Sequence, residues 1–297
     1  MWPCPNAADA AGYTSPRPWP GGKWRRWKKF LKTNKTSTPV RRENGQSLEP
    51  GRVPFLFRQK ELTRLSGRAL RPGGLALTRM AVDFCGFDQD DQILDAGCGF
   101  GMTCRYLLED HGIRALGMDT EIDSRLKSPV KYAEGQTGAS WFVQGRMPAF
   151  PFKSGTFNGI FCECVLSLVP DKARCLEEFF RVLKKNGKLV LTDLYIPERY
   201  KPAPIPDHGG KAPASCLDGA LTILALIQTL EAAGFTITLM EDHTPYLKQM
   251  VGQMVFEYGS LDRVWERLPG ALGAGNIACR AGRLKPRYGM IIAEKYE

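Results

Sequence analysis

The stretch Ile93-Leu94-Asp95-Ala96-Gly97-Cys98-Gly99-Phe100-Gly101 decides the fold. Ile93 and Leu94 read as the end of a buried strand. Asp95 caps that strand, glycines follow at alternate positions, and Met102, Tyr106 and Leu107 then recur at helical spacing. A strand, a glycine turn and a helix in that order bring backbone N–H groups at a helix N-terminus to a polar or anionic ligand. Glycine reaches backbone angles closed to other residues and keeps side chains out of the ligand's path.

Working outward, apolar runs predict strands near Gln92–Asp95, Arg114–Met118, Trp141–Gln144, Asn158–Phe161, Lys188–Asp193, Thr236–Glu241 and Tyr288–Ala293. Helical spacing predicts helices over Leu75–Phe84, Met102–Asp110, Arg174–Leu183 and Leu221–Ala233, the third stopping at Asn186-Gly187. Alternation of this kind implies an α/β, Rossmann-like fold: a seven-stranded, mostly parallel sheet with helices on both faces. A Pro-rich loop at about 197–215 lies where a lid would cover the carboxyl ends of the strands. A helical insertion at about 242–285 precedes the last strand. Within it Leu247, Met250, Val251, Met254, Val255 and Tyr258 form a stripe, which more often packs on a core than binds a partner.

The spacing G-x-G-x-G after an acidic residue resembles motif I of the class I S-adenosylmethionine-dependent methyltransferases. The resemblance implies S-adenosyl-L-methionine as cofactor, held through Asp95, Gly97, Cys98, Gly99 and Gly101. It implies ribose recognition by Asp119, which ends the second strand; the same carboxylate also reads as a helix cap. After the third strand the run Gln144-Gly145-Arg146-Met147-Pro148 puts Arg146 where relatives often carry an acidic adenine partner. Arginine offers no acceptor, so the adenine is expected against backbone and Met147. Cys162, at the end of the fourth strand, completes the expected cofactor contacts; as thiols, Cys98, Cys162 and Cys175 read as structural.

Phe161-Cys162-Glu163-Cys164-Val165-Leu166-Ser167-Leu168-Val169-Pro170 and Ser215-Cys216-Leu217-Asp218-Gly219-Ala220-Leu221 resemble the arsenite methyltransferase branch of that superfamily. The resemblance implies Cys164 and Cys216 as substrate thiols, since soft thiolates suit thiophilic centres. Read as residues alone, the same two cysteines are equally ordinary buried thiols. Three acceptor classes follow: a thiol-bound arsenic or selenium species, a small organic molecule of quinone-precursor type, or a nucleic acid. Cys162-Glu163-Cys164-Val165 stands where base methylation uses an Asn/Asp-Pro-Pro-aromatic motif, which argues against the third. A non-catalytic cofactor-binding protein is the remaining alternative. No metal site is expected.

The charge is uneven. Residues 1–60 carry thirteen Lys and Arg against three acidic residues, which accounts for the whole net charge of +10. This segment reads as a basic, disordered extension ahead of a methyltransferase domain over 61–297; its interleaved Trp19, Trp24 and Trp27 are the one hint of nucleic acid. Paired Arg25-Arg26 has the look of an export signal, but the polar Thr33–Thr38 run that follows excludes it. Nine scattered cysteines suit a reducing, cytoplasmic setting rather than a disulfide framework. No apolar run approaches the ~20 residues of a membrane span. A small-molecule partner is expected; the oligomeric state stays open.

Overall fold

The computed structural model describes residues 71–122, 141–200, 213, 215–266 and 277–296. The basic segment 1–60, His208 and most of the Pro-rich loop lie outside the described residues.

Seven strands form one sheet: β1 (Ile93–Ala96), β2 (Ala115–Asp119), β3 (Trp141–Gln144), β4 (Phe157–Glu163), β5 (Leu183–Tyr195), β6 (Thr236–Asp242) and β7 (Arg287–Glu294). Their order is β3-β2-β1-β4-β5-β7-β6. The first five pair in parallel, and β7 runs antiparallel to both β5 and β6. All four residues of β1 are buried, as a central parallel strand covered on both faces requires. Strand order reverses between β1 and β4. That reversal opens the crevice beyond the strand ends in which doubly wound sheets bind ligands.

The helices are α1 (Leu75–Cys85), α2 (Met102–His111), α3 (Lys172–Val182), α4 (Cys216–Gly219), α5 (Ile223–Ala232), α6 (Thr244–Tyr258), α7 (Leu261–Glu266) and α8 (Ile277–Leu284). Ala81, Val82 and Cys85 of α1 and Cys104, Tyr106 and Leu107 of α2 share a core cluster with Ile93 and Phe161. Side chains alternate across a strand. Phe161 and Glu163 therefore face α1 and α2, while Cys162 faces the other way, beside Cys175 of α3.

Two expectations shift. The third helix begins at Lys172, where Asp171 caps it by accepting the Arg174 N–H at 2.9 Å, and ends at Val182 rather than Leu183. Leu183 is extended and pairs with Phe157, while Asn186 adopts a left-handed turn whose N–H donates to the Lys295 carbonyl. Sheet partners thus claim the residues expected to finish the helix. The stripe on α6 is also less buried than core packing demands: that helix has no fully buried residue, and Val255 lies exposed. Among the described residues no helix is long and apolar enough to cross a membrane.

Candidate active site

The glycine turn leaves β1 with Gly97, Gly99 and Gly101 all at positive φ (84°, 51° and 71°). Gly97 and Cys98 both donate N–H groups to the Met118 carbonyl, at 2.7 and 3.1 Å, which ties the turn to β2. A Cβ at Gly97 would lie 2.5 Å from Cγ2 of Val165, so the residue after Cys164 rests directly on the turn. Gly99 has open space where its side chain would be. Its N–H donates to Oδ2 of Asp119 at 2.9 Å, and Oδ1 of Asp119 accepts from the Thr120 hydroxyl at 3.2 Å. Gly145 N–H donates to the Asp119 carbonyl at 2.9 Å, which brings the run from Gln144 to Met147 alongside. There Arg146 is exposed and Met147 half-buried.

Behind the turn lies a group of buried polar residues. Asp95 is 3% exposed and accepts a weak hydrogen bond from the Cys104 thiol at 3.4 Å. Burial, and then the charge of Glu163, push the Asp95 carboxyl up to about 7. Glu163 is itself buried, in a network with no exposed member. Arg71 pairs with its Oε2 at 2.9 Å, Thr78 donates to Oε1 at 2.8 Å and Thr103 to Oε2 at 2.7 Å. The same Arg71 nitrogen donates to both threonine hydroxyls, at 2.7 and 2.9 Å. Nε of Arg71 is buried with no hydrogen-bond partner among the described residues. Sequence reasoning gave Arg71, Thr78, Thr103 and Glu163 no role. The available signal was a carboxylate between two cysteines at the end of an apolar strand, a place where an unpaired charge is untenable.

On the far side of the reversal sits Cys164, a non-glycine residue at φ 61° whose N–H donates to the Thr192 carbonyl at 2.6 Å. It belongs to a buried cluster with Leu77, Leu194, Leu217 and Tyr288, and Cys216 packs against that cluster. The structure therefore brings the two cysteines singled out from sequence to one cluster, where Cys216 acts electrostatically on Cys164. Burial pushes the Cys216 thiol up to about 12 and Cys164 well above the ordinary thiol range. Both are S–H groups at neutral pH. The other two thiols lie elsewhere. Cys162 is 0% exposed on the opposite face of the sheet, leaving only its backbone for any ligand. The Cys98 sulfur is wedged against Gly117, where a Cβ would come within 2.9 Å of it.

Residues 94–191 match the family described as "Methyltransferase domain". An arsenite methyltransferase of Halobacterium salinarum is 27% identical over 157 residues, 51% of this chain and 39% of that protein. The chain spans about half, or less, of the length of the curated relatives it first matches. Among solved structures, the [4+2]-cyclase SpnF superposes with a TM-score of 0.58 at 19% identity, covering 93% of this chain and 94% of that one. The phosphoethanolamine N-methyltransferase 2 of Haemonchus contortus, in complex with S-adenosyl-L-methionine, superposes with a TM-score of 0.57 at 15% identity, covering 83% and 61%. At such identities these neighbours show the fold.

Proposed function

We propose that this chain transfers a methyl group from S-adenosyl-L-methionine to a small thiophilic acceptor, a trivalent arsenic or a selenium species seated on Cys164 and Cys216. The observation that carries this reading is the contact of Val165 with Gly97. It puts Val165, the residue after Cys164, against the glycine turn, and Cys216 packs on the cluster that holds Cys164.

The residues around the turn fit the cofactor. Asp95, Asp119 and Glu163 outnumber Arg71, which suits a ligand carrying a sulfonium and an ammonium group. The unpartnered Nε of Arg71 suits its carboxylate. Asp119 would take the ribose hydroxyls, Gly97, Gly99 and Gly101 would leave room for the methionine end, and Met147 would pack on the adenine. Of the proposed contacts, Cys98 and Cys162 offer backbone alone. The bound cofactor supplies a methyl group already activated by positive sulfur, so the protein's task is in-line positioning, which can supply about 7–11 kcal/mol.

Neutral thiols suit a hydroxylated trivalent metalloid. Each S–metalloid bond forms as one metalloid–oxygen bond breaks, and the thiol proton leaves with the hydroxide as water. The metalloid keeps its lone pair for the methyl group, and no general base is needed.

Calorimetry tests both parts. S-adenosyl-L-methionine should bind wild type, and Asp119→Ala should weaken binding about 10- to 100-fold, as expected for hydrogen bonds to a charged group. Arsenite should give a heat that Cys164→Ser and Cys216→Ser each remove. An unchanged heat in either variant discards the metalloid and leaves the small organic acceptor, which the apolar walls of Leu77, Leu194 and Leu217 favour. No uptake of the nucleoside by folded wild type overturns the methyltransferase reading itself.

A further inference from the structure

We infer that Gly219 sets the spacing of the Cys164–Cys216 pair, making it a preformed two-thiol clamp selective for centres that accept both sulfurs at once. The inference rests on the acceptor reading above and names what would tune it.

The two cysteines reach the site on separate supports. Cys164 closes β4 and is held in its left-handed conformation by its N–H bond to the Thr192 carbonyl. The chain then turns through the short 3-10 segment Leu166–Leu168. That segment is pinned from below by Asp193, which accepts the Ser167 N–H at 2.7 Å and the Ser167 hydroxyl at 2.8 Å. Cys216 opens α4, a single turn capped by the Ser215 hydroxyl. What joins the supports is backbone against backbone. A Cβ at Gly219 would overlap the Ser167 carbonyl oxygen and would also crowd Pro213 Cγ at 2.9 Å. Gly219 has no positive φ to explain a glycine there. The missing side chain serves close approach alone.

Any larger residue must push α4 off the 3-10 segment, because a carbonyl cannot swing aside as the end of a flexible side chain can. Cys216 would move with α4, while Cys164, anchored to β5, would not. The clamp would open and each thiol would survive. Arg280 of α8 pairs with Asp218 of the same turn, and Asp218 accepts the Ser215 hydroxyl, so the insertion secures α4 from its outer side.

The test uses dibromobimane, a reagent that becomes strongly fluorescent on bridging two thiols, with iodoacetamide alkylation read by mass spectrometry as the single-thiol control. Wild type should be bridged between Cys164 and Cys216, and Cys164→Ser and Cys216→Ser should not. Gly219→Ala should lose bridging by about tenfold or more, since displacements on the order of 1 Å cost reacting groups about 100-fold. Alkylation of Cys216 should persist. Ser167→Ala keeps the carbonyl and the N–H bond to Asp193 but loses the hydroxyl bond, so it should slow bridging less than Gly219→Ala. Should Gly219→Ala fail to fold, Asp193→Asn loosens the same contact from the other side without adding an atom, and it should slow bridging too. Wild-type bridging in folded Gly219→Ala or Asp193→Asn overturns the inference, as does wild type that cannot be bridged. Bridging is read without arsenite, so failure of the metalloid acceptor and failure of the clamp are separate results.

Discussion

Around the glycine turn, Asp95, Gly97, Gly99 and Gly101 lie within one short segment, and much of their bonding is to backbone or to the nearby Asp119. Around Cys164, the walls come from α1, β5, α4 and β7, brought together from across the chain. The first region is charged and built by local geometry. The second is apolar and built by tertiary packing. Among the described residues, two neighbours of Cys164 connect them: Val165, resting on Gly97, and Glu163, reaching Thr78, Thr103 and Arg71. On the proposed reading, a site assembled this way can keep its cofactor half constant while its acceptor half changes, provided the junction holds.

The sharpest way to break that contrast is therefore at the junction. Glu163→Ala should cost about 3–5 kcal/mol, the usual penalty for stripping one partner from a buried ion pair. Arg71 already has one nitrogen without a partner among the described residues and would lose the carboxylate that pairs with it. Urea unfolding measures the loss, and both nucleoside and arsenite uptake should fall with it. Glu163→Gln, which still accepts from the threonines, should lose less. A cost below about 1 kcal/mol for Glu163→Ala, the level of an exposed pair, would show that the halves do not depend on this link.

The same contrast explains what could be read in advance. The strand set and the glycine turn were legible because a buried parallel strand is a run of apolar residues and a tight turn writes its needs into glycine. The end of α3 was misplaced because Asn186-Gly187 is a good helix stop locally, while Leu183 answers to Phe157 on a neighbouring strand. The polar network was invisible for a stronger version of that reason. Thr78 and Glu163 are 85 residues apart, and Tyr288 and Thr192 are 96 apart. No periodicity links them. The cysteine pair was found through resemblance and not through spacing.

A pH series sharpens the electrostatic side of the comparison. The Asp95 carboxyl titrates at about 7 when folded against an ordinary 3.8, so the folded protein holds this proton where the unfolded chain has lost it. Stability from this group is greatest below about pH 4 and falls as pH rises to about 7, by at most ~1.4 kcal/mol per unit, then levels off. Asp95→Asn should flatten that slope. Because the ionised carboxylate attracts a cation, uptake of the sulfonium nucleoside by wild type should tighten as pH rises through 7. Equal slopes in wild type and Asp95→Asn would mean that another group carries the dependence. The thiol half should show no such trend, since Cys164 and Cys216 stay protonated across the range.

The smallest effect isolates the thiol half alone. Tyr288 of β7 is fully buried, and its hydroxyl donates to Thr192 Oγ1 at 3.0 Å; the carbonyl of the same threonine accepts the Cys164 N–H. Tyr288→Phe removes one oxygen and keeps the ring in the cluster. The same hydroxyl also hydrogen-bonds the Cys164 thiol, so the net loss is about 1–2 kcal/mol, or roughly 2–8 °C in Tm for a domain of this size. Thr192 would then be free to turn its hydroxyl, loosening the strand end that fixes Cys164. Arsenite uptake should weaken by about the tenfold that 1.4 kcal/mol represents, or less, and nucleoside affinity should not change. That split is what separates a residue positioning Cys164 from one that merely fills the core. If Tyr288→Phe lowered nucleoside affinity as much as arsenite uptake, β7 would be supporting both halves, and the division between a locally built cofactor side and a packed acceptor side would have to be redrawn with Tyr288, rather than Glu163, at the junction.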